Sequence, residues 1–227
     1  MEIKDAILER KSIRKFSGEK ISKKDLDEIL YYATKAPSAY NGQQTSIIYT
    51  EDREKIKKIA NLCGNQSHIE NASVFLLFVT DFYRTKKAFE KKNLEFKDNL
   101  DDIHTMAKVD AGIMVSTVNL VAHDLGYGCT VIGGVLNSKE ELKKLFNLPE
   151  YTQIVSGLTI GVSVKNVHIK NTKPKLEPSI LAMRDSYDTK IQENSLIDYD
   201  KILDEWYKNK GLNIDLQTDI LKKYLAK

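Results

Sequence analysis

Between Val74 and Thr80 the chain reads Val-Phe-Leu-Leu-Phe-Val-Thr, a continuous apolar, β-prone run with no polar alternation. A strand of that kind must be covered on both faces, so the segment predicts a central strand with helices above and below it. The flanking sequence supplies the cover. Ile3, Ala6, Ile7 and Arg10 recur at helical spacing, and Ser22-Lys23-Lys24-Asp25 is a capping-box-like start for a helix running to about Lys35 and ended by Pro37. Residues 45–50 form a short β-prone run, and residues 52–62 an amphipathic charged helix closed at Gly64.

From about Asn99 to Leu125 the pattern is again helical, and its central part from Val109 to Ala122 carries no charge beyond Asp110. A helix apolar nearly all round belongs in a core or against another subunit. Gly126-Tyr127-Gly128 stops it. Residues 129–132 then read as a strand, Gly133-Gly134 as an interruption, 138–146 as a helix ending at Leu148-Pro149, and 156–164 as the last central strand. This order predicts an α+β sheet covered by helices. After Val164 the character changes to a Pro- and Lys-rich stretch without periodicity over 165–179, followed by polar helices near 195–209 and 215–225. The expected organisation is a core over 1–164 and an extension of the same domain over 165–227.

The bulk numbers exclude more than they choose. With 227 residues, 41% hydrophobic and 30% charged, the chain can bury a substantial core. Its 35 Lys and Arg are interspersed with 32 Asp and Glu, and a net charge of +3 gives no nucleic-acid footprint. No run approaches the roughly 20 apolar residues of a membrane span, so no membrane partner and a cytoplasmic location are expected. Cys63 and Cys129 fit no CxxC pattern and read as two buried thiols. His68, His104, His123 and His168 show no metal-ligand spacing, and no Gly-x-Ser-x-Gly turn or GxGxxG after a strand is present.

Two segments carry a chemical signal. Arg10-Lys11-Ser12-Ile13-Arg14 places three cations and a hydroxyl within five positions, a composition suited to a phosphate. Ser38-Ala39-Tyr40-Asn41 follows a proline and offers short polar groups on a turn-forming backbone, suited to the edge of a flat heterocycle. Together they fit a flavin nucleotide. Each also has a plainer reading, as a solvated helix end and as a helix-terminating turn, and the residues alone leave both open.

In this order the motifs resemble those of the FMN-dependent nitroreductases, in the NADPH-linked branch of flavin reductases and oxygen-insensitive nitroreductases that carry a C-terminal extension. The resemblance runs through Arg10 to Arg14, Ser38 to Gln43, Gly64-Asn65-Gln66-Ser67-His68, Leu125-Gly126-Tyr127-Gly128, Val131-Ile132-Gly133-Gly134, Gly157 to Gly161 and Lys173-Pro174-Lys175-Leu176. It implies a mixed, mainly antiparallel sheet flanked by helices, a C-terminal helical extension and a homodimer with flavin sites built from both chains. It also implies bound FMN contacted by Arg10, Lys11, Ser12, Arg14, Ser38, Ala39, Tyr40, Asn41, Gln66, Val131, Ile132, Gly133, Gly134, Lys173 and Lys175. NADPH or NADH is then the electron donor. A nitroaromatic, quinone or free flavin takes two electrons in a ping-pong cycle, and no side chain is expected as catalytic base.

Three departures stand out. Lys11 occupies a position where arginine is usual, and Ala39 and Tyr40 stand where serines are common, so charge is kept while hydroxyl donors are lost. In the tail Lys210 matches one cation expected to grip the 2′-phosphate of NADPH, but Ile214-Asp215-Leu216 follows where others are expected. Two rival readings are a flavin-binding redox sensor or store without significant turnover, and a non-flavin module whose cations bind a nucleotide or an acidic partner.

Overall fold

A computed structural model describes residues 2–97, 99–164 and 172–226. Four strands, β1 (Thr45–Thr50), β2 (Val74–Asp81), β3 (Gly128–Ile132) and β4 (Thr152–Gly161), form one sheet in the spatial order β1-β2-β4-β3. All three pairings are antiparallel. The apolar run is β2, an interior strand, and its side chains from Val74 to Phe78 are fully buried. Successive side chains of a strand point to opposite faces, so β2 feeds two separate cores.

Val74, Leu76 and Phe78 pack with Leu26, Ile29 and Ala33 of α2 (Lys23–Ala33) and with Val115, Val118 and Ala122 of the long α6 (Asp101–Asp124). Phe75, Leu77 and Val79 face the other way. They meet Ile56 and Ile59 of α3 (Arg53–Leu62), Ile69 of α4 (Ser67–Glu70) and Leu142 of α7 (Lys139–Phe146). Burying one such phenylalanine or leucine stabilises the fold by roughly 1.5–3 kcal/mol, which is why the run tolerates no polar residue on either face. The first helix, α1 (Ile3–Glu9), lies against α6.

Local signals set the helix ends. The Ser22 hydroxyl accepts the Asp25 N–H at 3.1 Å, and the Asp52 carboxylate accepts the Lys55 N–H at 2.9 Å. Asn147 ends α7 in the left-handed region, at φ 50°, where a glycine would be the common choice.

Among the differences from the sequence expectation, two bear on the sheet and its cover. β4 begins at Thr152, four positions before the predicted start, because a register shift between Phe78 and Val79 lets the polar Thr152-Gln153 pair with Asp81 and Thr80. It also ends at Gly161, since residues 162–164 turn their hydrogen bonds to the N-terminal segment: Ser17 N–H donates to Val162 O, and Val164 N–H to Lys15 O. The second difference is α5 (Tyr83–Lys91), unread in a charged stretch. It is supported by Lys86 and Lys87 against Glu90 and by an edge-to-face contact between Phe89 and Phe96.

In the first turn of α6, His104 is buried, with Nδ1 2.7 Å from the Thr80 hydroxyl and its ring edge-on to Phe82. The Thr80 hydroxyl also accepts the Gln153 N–H at 3.1 Å, so it joins the histidine to β4. Burial first, and Lys108 next, hold this imidazole below its usual 6.5, with Asp101 opposing weakly.

The chain divides into two compact units, Met1–His168 and Ile169–Lys227. The second contains α8 (Pro178–Leu181), α9 (Thr189–Glu193), α10 (Ser195–Asn209) and α11 (Gln217–Leu225). Its small core is Tyr199, Leu203 and Tyr207 of α10 with Leu176, Trp206 and Leu216. The buried Asp200 carboxylate accepts the Gln217 N–H at 2.8 Å and the Thr218 hydroxyl, capping α11 from a neighbouring helix. The short helices α8 and α9 lie outside the expected elements. Part of the predicted excursion, 165–171, and with it His168, falls outside the described residues.

Candidate functional site

The basic segment leaves α1 at Arg10 and runs along the outer edge of β3. Ser12 bridges to Cys129 in parallel, the Ile13 N–H donates to Cys129 O at 2.9 Å, and the Thr130 hydroxyl donates to Ile13 O. Gly128 permits this close approach, because a Cβ there would stand 2.7 Å from the Ile13 side chain. Ile13 is thereby turned toward the sheet. Arg14 is exposed and Arg10 half-buried. Among the described residues no carboxylate pairs with either guanidinium.

β3 then leads into a 3-10 turn, Gly133–Leu136, which docks on the end of α3. The Ser138 hydroxyl donates to Leu62 O at 2.9 Å. A Cβ on Gly134 would lie 2.9 Å from Cys63 O and 3.2 Å from Gln66 Nε2, whereas one on Gly133 would meet nothing within 4 Å. The two glycines therefore do different work: Gly134 admits the Cys63–Gln66 backbone and amide, and Gly133 keeps space open. Gln66 Nε2 donates to Cys63 O at 2.6 Å, which fixes the amide and leaves its carbonyl end as acceptor. Val131 is exposed, while Ile132 is buried, so Ile132 has only its main chain to offer a ligand.

His68 lies two residues beyond Gln66. Burial, and then the Arg14 charge, lower its proton affinity, and its Nε2 is buried without a hydrogen-bond partner among the described residues. Cys129 and Cys63 are unbridged and buried, their thiols pushed up to about 12 and about 11 by burial, so neither is a nucleophile at neutral pH. Among the described residues no group of three or more His, Cys, Asp or Glu is placed to hold a metal ion.

The second sequence signal lies elsewhere. Ser38 is extended, and Ala39–Asn41 form a 3-10 turn that precedes β1, at the sheet edge opposite β3. Tyr40, Asn41 and Gln43 all have φ between 51° and 54°, an uncommon conformation for side-chain-bearing residues, and Tyr40 is almost fully exposed. The turn is held from outside. Ala39 N–H donates to both carboxylate oxygens of Asp110 on α6 at 3.1 Å, Gln43 N–H donates to the Ser38 hydroxyl at 3.1 Å, and Arg84 donates to Gln43 O and, at 3.1 Å, to Thr45 O.

Lys173 and Lys175 belong to the second unit. The Lys173 ammonium stands 5.3 Å from the centroid of the Tyr207 ring, Lys175 is exposed, and the Tyr199 hydroxyl donates to the intervening Pro174 O at 2.8 Å. Lys210 caps the end of α10. The contacts thus gather Arg10 to Arg14, Val131 to Gly134 and Gln66 in the first unit, and leave Ser38 to Asn41 on their own anchors. Sequence reasoning did not pick Asp110 or Arg84, whose partners lie far along the chain.

The donor set fits a flavin nucleotide. Two guanidiniums without carboxylate partners among the described residues suit a phosphate, a fixed amide suits a polar ring edge, and Gly133 leaves room for a planar group.

Comparison with known proteins points the same way. A model of the nitroreductase family matches residues 7–162. The chain is 35% identical over 216 residues to the FMN reductase [NAD(P)H] of Bacillus subtilis strain 168, covering 93% of this chain and 85% of that protein. It is 29% identical over 219 residues to the oxygen-insensitive NADPH nitroreductase of Salmonella typhimurium, covering 96% and 88%. The solved structure of B. megaterium NfrA2 superposes with a TM-score of 0.93 at 33% identity, covering all of this chain and 92% of that one. With an antiparallel sheet covered by helices, a β3 edge lined by cations and a family match over most of the first unit, this chain belongs to the nitroreductase family.

Proposed function

We propose that the chain holds FMN between the β3-edge cations and the Gln66–Gly134 seam, and uses it to pass two electrons from NAD(P)H to a small acceptor. The chain is a flavin-dependent NAD(P)H oxidoreductase. The single observation that carries the site assignment is the pair Arg10 and Arg14, guanidiniums without a carboxylate partner among the described residues, on a segment fixed to β3 by Ser12 and Ile13. Bound FMN supplies the two-electron chemistry.

The protein's share is to bind and orient. Arg10, Lys11, Ser12 and Arg14 take the phosphate and the pyrimidine side of the ring, Gln66 its polar edge, and Val131 to Gly134 the face from which the main chain approaches. Cations near that edge favour negative charge on the ring. Lys173 and Lys175 are proposed to add positive charge at the phosphate. No general base is required.

A second copy of the chain completes the site in this reading. Met106, Val109 and Ile113 are exposed on one face of α6, and Ile3 and Ile7 are exposed on α1, which lies against it. An apolar stripe of this kind is normally covered. The Ser38–Asn41 turn starts at the opposite sheet edge from the cations, which supports a site whose two walls come from two chains. Nitroaromatics, quinones and free flavin are the proposed acceptors, since a stacking site reads planarity and electron affinity. No described helix is long and apolar enough to cross a membrane. The reductant is a cytoplasmic one, and the cytoplasm is the proposed location, with neither a membrane nor a nucleic acid as partner.

Absorbance of the purified protein tests the cofactor, and stopped-flow reduction with NADH and NADPH in parallel tests the donor. A flavin spectrum bleached by NAD(P)H and restored by a quinone is expected. A colourless protein that stays colourless after FMN addition would overturn the reading, and a flavin that binds without turnover would favour a sensor or store.

A further inference from the structure

Asp110 is the only charged side chain between Val109 and Ala122, on a helix otherwise built for burial. It is 7% exposed, and Ala39 N–H is its one hydrogen-bond donor among the described residues. Carrying a carboxylate into an apolar layer costs stability unless it is hydrogen-bonded, so packing alone would favour an apolar residue here. The bond it makes reaches 71 positions back along the chain, to the residue just before Tyr40–Gln43, where three of four consecutive residues adopt left-handed backbone. Such strain persists only where surrounding structure over-determines it.

The turn's internal bonds close it upon itself without orienting it. Asn41 N–H donates to Ser38 O at 3.0 Å, Gly42 N–H to Ala39 O at 2.8 Å, and Gln43 N–H to the Ser38 hydroxyl. Orientation comes from two remote clamps. Arg84 holds the exit through the carbonyls of Gln43 and Thr45. Asp110 holds the entrance through the Ala39 N–H, from a helix locked into the core by Val115 and Val118.

We infer that Asp110 is a positioning residue: its carboxylate fixes the Ala39 peptide and thereby the direction in which Tyr40 and Asn41 face the flavin. This rests on the proposed placement of the Ser38–Asn41 turn in the flavin site. The device acts through an acceptor oxygen, so asparagine, which keeps one, retains the function, and alanine does not.

The test is fluorescence titration of the deflavinated protein with FMN, together with visible circular dichroism of the bound isoalloxazine. Asp110→Ala is expected to weaken FMN at least about tenfold, as loss of a bond to a charged acceptor would, and to change the dichroic band; Asp110→Asn stays within about threefold of the parent. Ala39→Pro removes the same bond from the donor side. Ser38 already has the extended backbone that precedes a proline, and Ala39 opens the turn, so the ring is accommodated there. It should match Asp110→Ala, and the double variant should be no weaker than either single one. A role in stability alone would lower Tm and leave FMN affinity and dichroism unchanged, which overturns the inference. Additive single effects, or an asparagine variant as weak as alanine, overturn it too. Ser38→Ala and Asn41→Ala separate the two levels. If they weaken FMN and Asp110→Ala does not, only the role of Asp110 falls; if none of them matters, the placement of the turn falls with it.

Discussion

The two walls of the proposed flavin site are held by different means. At the β3 edge, Arg10 to Arg14 are carried by main-chain bonds to Cys129, and Gln66 is seated against Gly134 by close packing. The Ser38–Asn41 turn is held by side chains, Asp110 and Arg84. A wall built on backbone pairing is insensitive to most single substitutions except where a glycine admits a neighbour. A wall built on side-chain clamps can be loosened one residue at a time, with the fold intact.

The largest effect should come from the glycine seam. Gly134→Val puts a Cβ against the Cys63 carbonyl, which is backbone and cannot swing away, and overpacking of this kind costs about 3 kcal/mol. Loss of bound flavin and a clear fall in Tm are expected. Gly133→Ala, one residue earlier and facing open space, should change Tm by less than about 0.5 kcal/mol equivalent. Similar behaviour of the two variants would break the distinction drawn between them.

Next come the arginines. Arg14→Ala should weaken FMN by about 1.5–3 kcal/mol, the range of a bond to a charged group, with Tm little changed because the side chain is exposed. Flavin content after dialysis checks it. Arg84→Ala removes the exit clamp of the turn, together with contacts to Ser46 and Asp81 on the strands, and should cost about 1 kcal/mol, roughly fivefold in FMN affinity. An Arg84 effect larger than that of Arg14 would reverse the order of the walls.

The smallest effect concerns stability and lies away from both walls. His104 has its proton affinity lowered in the fold by burial and by Lys108, so the unfolded chain takes up a proton that the folded chain refuses. Its contribution is present above the ordinary value of 6.5 and is lost as pH falls below it. Tm measured between about pH 7.5 and 5 should drop more steeply for the parent than for His104→Gln, which cannot titrate. Parallel curves would remove His104 from the account.

Much of the frame was legible because its causes are local. Val74 to Phe78 needed only their own apolarity to declare a strand buried twice, and Ser22 and Asp52 announced helix starts through bonds three residues long. The first half of β4 was hidden because its pairing depends on a bulge in β2, and α5 because charged pairs rather than an apolar face sustain it. Within the site, Arg10 to Arg14 stood out by composition, and Gln66 and Gly134 only by resemblance. Asp110 was visible as a lone charge in an apolar helix, yet its partner was not.

By itself, then, the sequence determined the layered frame, the helix stops and the cationic segment, since periodicity, capping and composition act over a few residues. Tertiary structure alone decided that Gly134 seats Gln66 while Gly133 leaves space, that Arg14 lowers the proton affinity of His68, and that Asp110 holds Ala39. Those facts depend on which distant residues the fold brings together, a matter of packing the two cores on β2 and written in no short stretch of chain.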